Sequence, residues 1–370
     1  MAVSAVGVIF TNIHEENVPE LVRRRTMASI PFGGRYRIID FALSNMVNSG
    51  ITTVGLMIHN NYRSLIDHIG SGKDWDLARK DGGIILLPPF SDRDEKIYTT
   101  RLEALNSLTG FFNRRNEKYV VLYDCDSVAK FDIKKIIKEH EKNNADITLA
   151  THYGPIEKQC NYLIVDSDAT GRVTEVQKVA YGKKDMNASV YAGVMVINRQ
   201  FLLNLVEEST AHGFSSFEKD VLIKQASSLR IYNYNFEGYY AGIDSMAAYY
   251  KHNMELLSKV VRDELFGDRD IYTKVRDSAP SKYGEGAIVR NSLISDGCDI
   301  EGVVENSILF RGVKVEKGAV IKNSIIMQDC VISGTSSLNC VITDKNVVIN
   351  NRQLSGCEDL PYYVQKGARL

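Results

Sequence analysis

Two aspartates at the end of an apolar run are the first lead to chemistry in this chain. Tyr119 to Tyr123 reads as a buried-type strand, and Asp124 and Asp126 follow at its C-terminal end. In open α/β sheets ligands sit outside the carboxyl ends of the strands. Carboxylates placed there serve cation binding or proton transfer. Asp126 therefore stands where chemistry could occur; a helix-capping or turn aspartate is the alternative at such a position. The second lead is the dense basic run Arg23, Arg24 and Arg25. It suits an anion-facing or solvated helix surface, with a localisation or nucleic-acid signal as the other reading.

The elements that must carry these residues alternate. Residues 3–10 form an apolar strand. Residues 12–30 break the pattern, and Gly33 and Gly34 mark a tight turn. Ile38 to Val47 has the apolar spacing of one helical face and is stopped at Asn48-Ser49-Gly50. Strands follow at Thr52 to Ile58 and 84–88, with a helix from Tyr62 to Ile69 between them and another over 98–112 after them. Phe131 to Lys142 is an amphipathic helix, and Ile147 to Thr151 a strand. A hairpin over 162–166 and 172–177 precedes a strand at Val190 to Ile197. Helices are expected over 199–209 and 217–226, a strand at Arg230 to Phe236, and a long helix from Ser245 to Leu257. This alternation predicts an α/β, Rossmann-like domain with a mostly parallel, mixed sheet over residues 1–262. Residues 263–286 read as a polar linker.

Composition bounds the function classes. The chain has 370 residues, enough for two domains, with 44% hydrophobic and 25% charged residues. Its 45 basic and 46 acidic residues nearly cancel, which argues against a general nucleic-acid binder. No run reaches the roughly 18 apolar residues of a membrane span, and MAVSAVGVIF reads as a strand rather than a signal peptide. Six cysteines, at 125, 160, 298, 330, 340 and 357, form no close CxxC pair. A reduced, cytoplasmic protein is expected.

From residue 287 to 370 the period changes. Ile288, Ile294 and Ile300 are six apart, as are Leu309, Val315 and Ile321, and again Ile326, Ile332 and Leu338. Each six-residue unit is one short strand and one turn, and three units make a triangular coil. No coil buries its own face, so coils must stack. Gly or Asn at 302, 312, 318, 323, 334 and 339 suits the corners. The expectation is a C-terminal left-handed parallel β-helix, with structural or oligomeric work.

Phe32-Gly33-Gly34-Arg35-Tyr36-Arg37-Ile38-Ile39-Asp40-Phe41-Ala42-Leu43-Ser44-Asn45, continuing through Asn48-Ser49-Gly50-Ile51, resembles the signature of the bacterial ADP-glucose pyrophosphorylase (glucose-1-phosphate adenylyltransferase) family. Glu237-Gly238-Tyr239-Tyr240 and the hexapeptide region add to the likeness, which covers essentially the whole chain. The resemblance implies the transfer of an adenylyl group from ATP to glucose 1-phosphate with release of pyrophosphate. It implies Mg²⁺, a glycine-rich triphosphate loop, paired carboxylates for the metal, and cationic side chains for phosphate.

Against that pattern this sequence departs repeatedly. The family's GGxGxRL loop falls on Asn12 to Asn17, without a glycine and with Glu15 and Glu16 where the triphosphate would lie. Such charges repel ATP. The lysine of the KPA element falls on Met27, while Arg25 matches the nearby arginine. Asp126 matches a metal aspartate, preceded by Cys125 instead of glycine. The RD pair of GYWRDVG becomes Ala241-Gly242, with Asp244 two residues later. On the sugar-phosphate side Lys178 survives as a phosphate ligand candidate, although a surface lysine is the alternative. Gly193 is retained, and Tyr191 replaces a serine.

By resemblance, Asp126 is then a vestigial catalytic and metal candidate and Asp244 a displaced second one. Arg25, Lys178 and Gly193 are the substrate-binding candidates. Losses on both sides of an intact scaffold resemble the family's GlgD-type regulatory branch. That implies a largely non-catalytic subunit with no cofactor of its own, paired with a catalytic GlgC-type subunit in a heterotetramer, under a sugar-phosphate or nucleotide effector. Two alternatives stand beside it: an active, Mg²⁺-dependent adenylyltransferase, and a homo-oligomeric sugar-phosphate or nucleotide sensor.

Overall fold

The computed structural model describes residues 3–88, 100–156, 162–179 and 186–370. Cys160 and the first two residues of the helix expected over 98–112 fall outside them. The chain forms two compact units. One comprises 1–13, 41–62 and 69–240; the other comprises 14–40, 63–68 and 241–370.

The first unit is built on a nine-stranded mixed sheet. Its strands are β1 (Ala5–Phe10), β2 (Thr53–Met57), β3 (Gly83–Leu87), β4 (Tyr119–Asp124), β5 (Ile147–Pro155), β6 (Tyr162–Ser167), β7 (Val173–Val179), β8 (Asn187–Asn198) and β9 (Ile231–Phe236). Their order is β7-β6-β8-β4-β1-β2-β3, with β5 beside β8 and β9 beside β5. β1 runs parallel to both β2 and β4, and β2 parallel to β3. β8 runs antiparallel to β4, β5 and β6. Every residue of β1, β2 and β4 is buried. Strands covered on both faces lose polar alternation, which is why these read as continuous apolar runs.

Helices α1 (Ile38–Asn48), α2 (Arg63–Ile69), α3 (Arg101–Ser107), α4 (Ile133–Lys142), α5 (Arg199–Ala211) and α6 (Met246–Glu255) lie near their expected places, and a further helix, α7 (Lys259–Phe266), stands where none was expected. The helix expected over 98–112 is broken at Leu108 (φ −93°, ψ 2°) into α3 and a short turn of helix over Thr109–Asn113. The segment expected to be helical over 217–226 is a π-helix at Phe217–Ile223. No described helix is long and apolar enough to cross a membrane.

The second unit contains the left-handed β-helix: three parallel sheets of five short strands each. Its first strand is Lys282–Tyr283, and α7 runs to Phe266, so regular structure enters both ends of the stretch read as a linker. One inward column is Val289, Val304, Ile321, Leu338 and Leu354. Ile288, expected to point inward, is instead 41% exposed. The reason is a recurring short corner. From Val289 to Ile294, Val304 to Leu309, Ile321 to Ile326 and Leu338 to Thr343 the inward spacing is five residues rather than six. Each of these corners turns through a left-handed residue: Asn291, Asn306, Asn323 and Cys340. This tight corner repeats coil after coil, and two further short steps, Ile300 to Val304 and Ile349 to Leu354, also break the six-residue spacing. Gly302 serves another close approach, since a Cβ there would lie 2.4 Å from the Ala319 carbonyl.

Segment 14–40 packs within this second unit. The Gly33 amide donates to Asn253 Oδ1 at 2.9 Å, and the Tyr249 hydroxyl donates to the Pro31 carbonyl at 2.7 Å. Gly34 has φ +82°, and a Cβ there would come 2.7 Å from Ser295 Oγ. The glycine pair of the signature thus makes a turn that lets the chain pass close against a β-helix coil.

Candidate functional site

The crevice of the first unit lies at the carboxyl ends of β1 and β4, where Phe10 and Asp124 are paired in register. Thr100 and Glu103 form a capping box that starts α3, which puts Arg101 at its first position. A cation there opposes the helix dipole, so it needs strong compensation. Arg101 Nη2 donates to Asp124 Oδ2 at 2.7 Å, and Arg101 Nε lies 3.0 Å from Glu218 Oε1. The guanidinium also sits over the Phe10 ring, 5.1 Å from its centroid. Burial alone would lower the Arg101 pKa, but the Asp124 and Glu218 carboxylates outweigh it and hold the group charged, well above its usual value. Tyr191 is partly buried, its hydroxyl enclosed against the same cluster. Burial first, and then the Asp124 carboxylate, push its phenol well above the ordinary range, so it stays neutral.

Asp126 and Gly193 come together beside this cluster. Gly193 has φ +81°, and a Cβ on it would lie 3.3 Å from Asp126 Oδ1 and 3.2 Å from Asp124 Cβ. The glycine permits both the left-handed turn and the close approach. Asn45 of the signature helix donates to the Tyr123 hydroxyl at 3.0 Å and to the Ala129 carbonyl at 2.9 Å, bracing the strand that delivers Asp126.

The other candidates lie elsewhere. Lys178 is exposed on β7, opposite Leu163 in the hairpin register. Asp244 belongs to the second unit, just before the Ser245 N-cap of α6, and accepts from the Ser245 hydroxyl at 3.3 Å. Arg25 is buried in the second unit, its Nη2 bonded to Asp344 Oδ1 at 2.5 Å and Oδ2 at 2.7 Å. Met27 is fully buried there, and its amide donates to Glu15 Oε1 at 3.3 Å. His14 enters this acidic turn in a left-handed conformation, φ 56°.

Among the described residues no group of three or more His, Cys, Asp or Glu side chains is arranged to hold a metal ion. Asp124, the carboxylate nearest Asp126 in sequence, is bonded to Arg101. The residues of this crevice therefore do not fit the Mg²⁺ that the enzyme reading implies.

The second unit carries a cavity of about 410 Å³ lined in part by Arg23, Arg24, Lys366, Tyr362 and Gln365. Two residues of the basic run thus line a concave surface, together with the carboxylates of Glu20 and Asp344. Nearby in sequence, Lys345 is pushed down to about 6, by burial first and then by the Arg37 and Arg25 guanidiniums.

Arg101 and Glu218 escaped sequence reasoning. The capping pattern Thr100-Arg101-Leu102-Glu103 was the available signal, because it puts a cation at a helix start where cations are disfavoured. Glu218 carried no signal, since its role depends on a long-range meeting.

The family model described as "Nucleotidyl transferase" matches residues 19–259, and that described as "GlmU-like, C-terminal hexapeptide" matches 278–360. The chain is 34% identical to a "Glycogen biosynthesis protein GlgD" of Bacillus subtilis (strain 168), over 98% of this chain and 96% of that one. It is 37% identical to a protein of the same name from Geobacillus stearothermophilus, over 84% of this chain and 81% of that one. A "Glucose-1-phosphate adenylyltransferase" of Mycoplasma mobile is 32% identical over 84% of this chain and 83% of its own length.

Proposed function

The chain belongs to the ADP-glucose pyrophosphorylase family and to glycogen biosynthesis, and from that premise we propose that it is a regulatory, largely non-catalytic subunit. It partners a catalytic subunit of the same family, in a heterotetramer, and transmits an effector signal to it. What carries this reading is the acidic turn at His14–Asn17. Where the family has glycines with free amides for a triphosphate, this chain has Glu15, whose carboxylate takes the Met27 amide. A carboxylate in that place repels phosphate, and Met27 supplies no compensating charge. The effector site in this reading is the cavity lined by Arg23, Arg24 and Lys366 together with Glu20 and Asp344, whose cations would take the phosphate of a sugar phosphate or a nucleotide.

One observation favours the alternative of an active adenylyltransferase: Asp126 and Gly193 remain together. The two readings separate on turnover by the purified chain alone. The regulatory reading expects ADP-glucose formation at background level. Pyrophosphate release at roughly 1 per second or faster, abolished by Asp126→Asn, would establish the enzyme instead.

A further inference from the structure

The crevice at the carboxyl ends of β1 and β4 already contains a cation. We propose that the Arg101 guanidinium is its resident counter-ion, standing in for a divalent metal. It pairs with both Asp124 and Glu218 and so keeps Mg²⁺, and any polyphosphate carried with it, out of the site. The inference deepens the regulatory reading and rests on it for its biological meaning.

Three observations carry it. First, the placement is that of a ligand: strand carboxyl ends form the binding crevice of such sheets, and Arg101 lies over Phe10, the last residue of β1, while bonded to Asp124, the last of β4. Second, the charge is built in. The Arg101 and Asp124 side chains are 3% and 1% exposed, and Glu218 30%. A guanidinium this buried persists only with carboxylates on it, and they would be costly to leave unpaired. Third, the guanidinium has capacity left over: Arg101 Nη1 is a buried polar atom without a hydrogen-bond partner, and the Tyr191 phenol lies against the same guanidinium. A guanidinium hydrogen-bonded to Asp124 at Nη2 and ion-paired with Glu218 at Nε occupies both carboxylates, which accords with the lack of a metal-ready trio among the described residues.

Removing the guanidinium should therefore expose a divalent-cation site made from Asp124 and Glu218, with Asp126 at its margin. The test uses the full chain, Arg101→Ser, Arg101→Lys and the double variant Arg101→Ser/Asp124→Ser. Thermal melting is followed with and without MnCl₂, and Mn²⁺ affinity by electron paramagnetic resonance. In Arg101→Ser, Mn²⁺ should raise the melting temperature and bind at least about tenfold more tightly than to the unsubstituted chain. Arg101→Lys and the double variant should show no such gain. Should Arg101→Ser be unfolded in metal-free buffer, Mn²⁺ should restore its folded signal. The proposal is overturned if Mn²⁺ neither stabilises nor refolds Arg101→Ser. It is equally overturned if the unsubstituted chain binds Mn²⁺–ATP in a manner that Asp126→Asn abolishes. An unsubstituted chain that binds Mn²⁺–ATP without turnover would remove this inference and leave the regulatory reading standing. A metal-excluding chain that has no effect on any partner would do the reverse.

Discussion

Arg25 and Asp344, 319 residues apart in sequence, meet as a buried ion pair in the second unit, at 2.5 and 2.7 Å. The Tyr363 hydroxyl donates to the same carboxylate at 3.0 Å and lies 3.1 Å from the Glu20 carbonyl. Segment 14–40 is thereby tied to the last coils of the β-helix. Cutting one partner leaves the other charged, buried and unpaired. Asp344→Ala should cost about 3–5 kcal/mol, read as a lowered denaturant midpoint. Arg25→Met/Asp344→Leu, which removes both charges, should cost less than either single change.

Gly193→Ala tests the site geometry. The left-handed backbone alone costs an alanine about 1–2 kcal/mol, and the new methyl would press on Asp124 and Asp126. Denaturant melts should show a loss of at least that size.

Lys345 predicts a pH dependence. Its folded-state pKa, lowered to about 6, lies below the unfolded lysine value. Between those two pH values the unfolded chain therefore binds more protons, and stability rises with pH across that window. Below about 6 both states are protonated and the dependence ends. Lys345→Met should flatten the rise in urea midpoints measured from pH 6 to 9, and an unchanged slope would refute the assignment.

The repeated corner makes a finer prediction. Cys340 takes the place that Asn291, Asn306 and Asn323 hold in the other coils, at φ 52°. Its thiol lies 3.6 Å from the Tyr250 hydroxyl, which donates to the Asn323 carbonyl at 2.7 Å. Asparagine tolerates this conformation and a β-branched residue does not. Cys340→Asn should change stability by less than about 1 kcal/mol, while Cys340→Val should lose more than about 1 kcal/mol, compared by thermal melts.

Much of this architecture was legible because it rests on local periodicity. The buried strands β1 and β4 announced themselves as apolar runs, and the β-helix by spacing. Spacing misplaced Ile288 because a strict six-residue rule cannot see a corner that closes one residue early. Asp126 and Gly193 were legible by likeness to a family motif. Arg101 was not, because its meaning depends on Glu218, 117 residues further on, and pairings of that range leave no local pattern. The same holds for Arg25, which the family pattern placed near substrate phosphate and which the fold bonds to Asp344. A deletion of residues 288–370, the obvious test of the β-helix as an assembly element, would strip segment 14–40 of that partner, so surface substitutions on the coils are the better probe.

The central claim is regulation without catalysis, and its most direct test is steady-state ADP-glucose synthesis by three samples: this chain, a catalytic subunit of the family from the same cell, and the co-expressed pair. The account predicts background activity for this chain and a complex whose maximal rate or effector response differs from that of the catalytic subunit alone. Turnover by this chain at rates typical of enzymes, or a complex kinetically identical to the catalytic subunit, would contradict it.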